Sequence, residues 1–101
     1  MVAKNQSDAS LADELPALLA ERGRSLRGLA EELGVDHGHL SRITRHERSK
    51  VPSGDLAGRI AIALGLPVDY FPEYRRWLVV TALADPDVLN RVYRLVTRPS
   101  K

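Results

Sequence analysis

An all-α fold follows from three observations. Apolar residues recur three and four positions apart in six successive segments, no stretch alternates with period two, and most segments open on a capping residue and close on glycine or before proline. The 101 residues suit one small domain, and a hydrophobic fraction of 44% supplies one core.

Residues 1–9 are polar and are expected to fray. The first helix ends near Arg22-Gly23, with Leu11, Leu15, Leu18, Leu19 and Arg22 at helical spacing. Ser10 or Asp13 can cap it. Pro16 breaks the pattern if Ser10 is the cap and is harmless if regular helix starts at Glu14, so both starts stay open. Ser25 caps a second helix, Leu26 to Leu33, which Gly34 stops. Asp36 caps a third, running to about Arg45, and residues 46–52 form a polar loop. Ser53 caps the fourth, whose inner side carries Leu56, Ala57, Ile60, Ala61 and Leu64. Residues 66–72 form a bend with room for one helical turn. A fifth helix spans about Glu73 to Leu83. Asp85-Pro86 then places a cap and a proline at the start of a sixth helix that runs to about Thr97.

Composition removes several function classes. There is no cysteine, so disulfides, thiolate zinc sites and cysteine nucleophiles are excluded. No apolar run approaches the ~20 residues of a membrane helix. Residues 1–8 lack the apolar stretch of a secretory signal, so a cytoplasmic protein without membrane association is expected. The net charge is only +2, but residues 1–21 are net acidic and residues 22–50 net basic. Arg42, Arg45, Arg48 and Lys50 form the densest basic run, and all three histidines, His37, His39 and His46, lie within it or just before it. A local basic patch on a nearly neutral chain points to a polyanion on one face, or to an ordinary salt-bridged surface.

The segment from Leu26 to Arg45 favours the polyanion. Two short helices that cross steeply over a turn of three to four residues must approach closely. Ala30 is small where the helices meet, and Gly34 suits the positive φ of the tight turn. Leu29 and Leu33 on one helix, and Val35, Leu40 and Ile43 beyond the turn, seat the pair on a core. This is the pattern of a helix-turn-helix with Asp36–Arg45 as recognition helix.

The stretch from Ser25 to Val35, then Leu40-Ser41-Arg42-Ile43, then Leu56-Ala57 and Ile60 through Phe71, resembles the lambda-repressor-like, Cro/Xre-type helix-turn-helix family over roughly residues 11–71. The resemblance implies a five-helix DNA-binding domain at residues 10–71, usually dimeric, acting as a transcriptional regulator or as the antitoxin of a toxin–antitoxin pair. Residues 72–101 lie outside it as an added helical segment. Members often pair an acid at the end of the recognition helix with an arginine on the first helix. Thr44, His46 and Leu19 stand at those places, which implies an apolar-to-hydroxyl contact instead. Gly38 stands where members usually carry a polar side chain, at about 1 kcal/mol of helix propensity.

In this docking the first turns of the recognition helix meet base edges, which assigns His37, Gly38, Ser41 and Arg42 to base contact. Arg42 can hold guanine O6 and N7 with two donors. His37 and His39 point to different sides of the helix, so they do not face one base together. Gly38 either allows close approach to the duplex or leaves room for a thymine methyl. Phosphate contacts are expected from Ser25 and the backbone of Leu26 and Arg27 at a helix N-terminus, and from Arg45, His46, Arg48, Ser49 and Lys50.

No metal or other cofactor is expected. His37 and His39, two residues apart on a helix, cannot share a metal with His46 and an acid such as Glu47. Ser41 lacks a glycine-flanked elbow and an orienting acid, so the chain reads as a non-enzyme. Trp77, Leu78, Val80 and Leu83, then Val88, Leu89, Val92, Tyr93, Leu95 and Val96, exceed what a domain closing at Phe71 needs to cover. They read either as a homodimer interface or as a lid on the same chain, and two half-sites on DNA favour the dimer. The leading function is a sequence-specific, double-stranded DNA-binding regulator. The alternative is an antitoxin or other protein-interaction module.

Overall fold

A computed structural model of the chain describes residues 6–45 and 53–98. Among them the order is α1 (Leu11–Glu21), α2 (Leu26–Leu33), α3 (His37–Thr44), α4 (Gly54–Ala63), α5 (Pro72–Ala82) and α6 (Pro86–Thr97), with no strand. The all-α expectation therefore holds, and the helices fall within a residue or two of their expected limits.

Local chemistry explains those limits. Ser10 Oγ accepts from Asp13 N–H, which settles the open start of α1 in favour of Ser10. Pro16 consequently sits inside the helix, on its exposed side. Ser25, Asp36 and Ser53 cap α2, α3 and α4 by accepting from Gly28, His39 and Leu56 N–H. Between α2 and α3, Gly34 takes φ 71°, and Val35 N–H reaches Ala30 C=O at 3.0 Å. A side chain at Gly34 would be strained in this left-handed conformation.

Leu11, Leu15, Leu18 and Leu19 of α1 close on Leu29 and Ala30 of α2, Leu40 and Ile43 of α3, and Leu56, Ala57, Ile60 and Ala61 of α4. Leu64 and the fully buried Phe71 complete the core. Leu33 and Val35 pack against it only in part. The hydroxyl of Thr44 donates to Ser41 C=O at 2.8 Å within its own helix.

Among the described residues, Arg22, Arg24, Arg59 and Arg75 hold backbone carbonyls. Arg22 Nε donates to Leu64 C=O at 2.9 Å and Arg24 Nη1 to Ala63 C=O at 2.8 Å, satisfying the open end of α4. Arg24 also pairs with Glu32, and Arg59 donates to Leu33 C=O at the end of α2. Arg75 donates to Asp69, Tyr70 and Ser7 carbonyls at 2.6–2.9 Å. Of residues 1–9, expected to fray, 1–5 lie outside the described residues; among the others Ser7 is buried and its N–H reaches Tyr70 C=O at 2.8 Å.

The boundary expected at residue 72 is bridged. α5 lies along α4, where Gly54 and Gly58 leave no side chain between them. A Cβ on Gly54 would fall 1.9 Å from Trp77 Cβ, and one on Gly58 would fall 2.7 Å from the Tyr74 ring. Glu73 reaches back to α1, accepting Leu11 N–H at 3.1–3.2 Å. That bond satisfies an orphan donor and sets a negative charge at a helix N-terminus. Neither helix has a fully buried residue, but α6 has no comparable seat on the first four helices, and its Leu89, Tyr93, Leu95 and Val96 stand 48–77% exposed.

Candidate nucleic-acid interface

The turn at Gly34–Asp36 holds α3 across α2 with Leu40 and Ile43 facing the core. Helical spacing then turns Gly38, Ser41, Arg42 and Arg45 to the opposite side. His37, Gly38, His39, Ser41 and Arg42 are half-buried, and Arg45 is exposed. The four residues expected to meet bases therefore occupy one helix. Its N-terminus is fixed by the Asp36 carboxylate, which accepts His39 N–H at 2.9 Å.

Ser25, Leu26 and Arg27 begin α2. Ser25 and Arg27 are exposed and Leu26 half-buried. Ser25 Oγ serves Gly28 N–H at 2.9 Å, while the N–H groups of Leu26 and Arg27 have no acceptor within the helix. These are the donors an anionic oxygen needs. His46, Arg48, Ser49 and Lys50 lie outside the described residues. Among the described residues, no group of three His, Asp or Glu side chains is assembled for a metal. No helix there is long and apolar enough to cross a membrane.

The Gly38 face has an internal order that spacing does not reveal. A Cβ on Gly38 would lie 2.9 Å from Asp36 Oδ2 and 3.5 Å from Arg42 Nη1. Arg42 thus reaches back one turn and lies over the glycine. Its Nε is buried without a hydrogen-bond partner.

The expected self-association face is uneven. Trp77 packs on Gly54 of its own chain and against Tyr74, with ring centroids 5.7 Å apart. Leu83, Val88 and Val92 are half-buried. Leu78, Val80, Leu89, Tyr93 and Val96 are exposed, as are Val79 and Leu95, of which Val79 was not anticipated. Sequence reading also missed Gly54 and Gly58 as the seat of α5. Their spacing of four residues was the available signal, but only a partner helix gives it meaning.

The helix-turn-helix family model matches residues 17–71, more than half of the chain, from the middle of α1 to Phe71. No curated protein and no solved structure matches the chain.

Proposed function

The chain belongs to the lambda-repressor-like helix-turn-helix family of DNA-binding regulators, and on that premise we propose that it regulates transcription by laying α3 in the major groove of double-stranded DNA. The observation that carries this reading is the outer face of α3, with Gly38, Ser41 and Arg42 turned away from the core on a capped helix and Arg45 at its C-cap. His37, Gly38, Ser41 and Arg42 read base edges, with Arg42 as the guanine-reading fork. Ser25, Leu26, Arg27 and Arg45 hold phosphates and set register, and His46, Arg48, Ser49 and Lys50 add to that grip. No step calls for a cofactor or a catalytic group.

The protein works as a homodimer on an inverted repeat, its copies joined through the exposed apolar side of α6 and the end of α5. That pairing presents two copies of α3 to grooves about one helical turn, ~34 Å, apart. A protein partner on the same face is the competing reading, and a stoichiometric complex purified from the host with an unrelated protein would favour it.

The test is a bound-sequence selection from random duplex DNA followed by titration over salt. Affinity should fall with a log–log slope of about −0.9 per neutralised phosphate, and several phosphates are expected. Arg42→Ala should cost roughly 1–3 kcal/mol at one base position, whereas Arg45→Ala should weaken all sequences alike. A slope near zero removes the nucleic-acid reading.

A further inference from the structure

We propose that Gly38 determines specificity by having no side chain, so that the Arg42 guanidinium lies over it and serves the base-facing positions of both residues. This rests on the DNA-reading role of α3 and adds how that reading is set. Gly38 lies on the outer face of α3, one turn before Arg42. With no side chain there, the guanidinium folds back until Nη1 lies 3.5 Å from where a Cβ would stand. A bare Cβ fits against it at that distance, but any longer side chain must share its space.

The state of Nε supports a pre-set side chain. A guanidinium swinging freely in solvent would keep Nε hydrated, yet here Nε is buried and unpartnered while the residue as a whole stays half-exposed. Nη1 and Nη2 are the two donors that a guanine accepts side by side. Asp36 sets the other wall. Its Oδ2 is bound to His39 N–H and would lie 2.9 Å from a Cβ on Gly38, so the cap and the arginine flank the same vacant position. Holding a long side chain before binding reduces the rotamer entropy lost on contact. In this account the weak helix propensity of Gly38 is the cost of a rigid reader built from one arginine.

The test uses the full chain and two readouts. Without DNA, solvent exchange of the Arg42 Nε–H is followed by nuclear magnetic resonance in the wild type, Gly38→Ala and Gly38→Gln. Exchange should be slow in the wild type, little changed by Gly38→Ala and fast in Gly38→Gln. Both variants should stay folded, since about 1 kcal/mol of added helix propensity offsets the shift that a Cβ 2.9 Å from Asp36 Oδ2 imposes on the cap, and thermal melting checks this. With the selected DNA, Gly38→Gln should lose roughly tenfold to hundredfold discrimination at the base read by Arg42, and the Gly38→Gln/Arg42→Ala double variant should lose no more than Arg42→Ala alone. Fast exchange in the wild type, exchange unchanged by Gly38→Gln, or additive losses in the double variant would overturn the proposal while leaving α3 as a DNA reader. Absence of any preferred DNA sequence for the wild type would instead overturn the functional reading, and the specificity role with it.

Discussion

Helices α5 and α6 both start on a proline at the first helical position, both extend beyond the family-matched segment, and both carry apolar side chains that the first four helices do not bury. Only α5 has a surface on its own chain shaped to receive it. Gly54 and Gly58 let Trp77 and Tyr74 come down onto the α4 backbone, Glu73 binds Leu11 N–H, and Arg75 gathers three carbonyls. α6 finds no such seat, and its Leu89, Tyr93, Leu95 and Val96 remain exposed. An amphipathic pattern states that a face is to be covered. The shape of the opposing surface decides whether the cover comes from the same chain or from another molecule.

That contrast breaks most visibly at Gly54. Gly54→Ala places a Cβ 1.9 Å from Trp77 Cβ, so α5 must shift. The expected loss is about 3 kcal/mol in denaturant unfolding, as for a severe overpacking change. A loss below about 0.5 kcal/mol would mean that α5 is no more anchored than α6.

A smaller effect belongs to Tyr70, just before α5. Its hydroxyl donates to Glu14 at 3.1 Å, and its ring meets Phe71 edge-on at 5.1 Å. Burial, and then the bond to Glu14, raise the phenol above its ordinary value. The folded state therefore holds this proton more tightly than the unfolded chain. The resulting stability is fully present below the unfolded value of about 10 and is lost as pH rises through the raised folded value. Tyr70→Phe should cost about 1 kcal/mol or less near neutrality and flatten the alkaline fall in stability. An unchanged fall above pH ~10 would show that another group produces it.

The smallest expected effect on folding comes from α6. At concentrations too low for self-association, a chain ending after Ala84 should unfold within about 0.5 kcal/mol of the full chain, because α6 has no fully buried residue and only Val88 and Val92 are partly covered. By sedimentation it should be monomeric where the full chain is dimeric, and its grip on an inverted repeat should fall to that of one half-site. A full chain that stays monomeric at concentrations saturating its DNA would remove the dimer proposal and leave the α6 face to another partner.

How much of this was legible in the residues follows from the range of each interaction. Ser25, Asp36 and Ser53 act on N–H groups three residues ahead, and Gly34 acts on its own φ, so helix limits and the α2–α3 turn were readable by position. Leu29, Leu40, Ile43, Leu56, Ile60 and Leu64 declared themselves as core through periodicity alone. The start of α1 was ambiguous because Ser10 and Asp13 both satisfy the local rule, and the Glu73 bond to Leu11 N–H comes from 62 residues away. The carbonyl-binding roles of Arg22, Arg24 and Arg75 also span long separations, and one-dimensional spacing gives an arginine on a helix face no hint of a distant acceptor. Sequence by itself determined six helices, the α2–α3 turn and the core side of each of the first four helices, since these rest on caps, turn geometry and the 3.6-residue period. Tertiary structure alone decided that α5 is seated on two glycines, that α6 is not, and that Arg42 lies over Gly38. Each of those depends on how closely two backbones or side chains approach in space, a quantity no local rule contains.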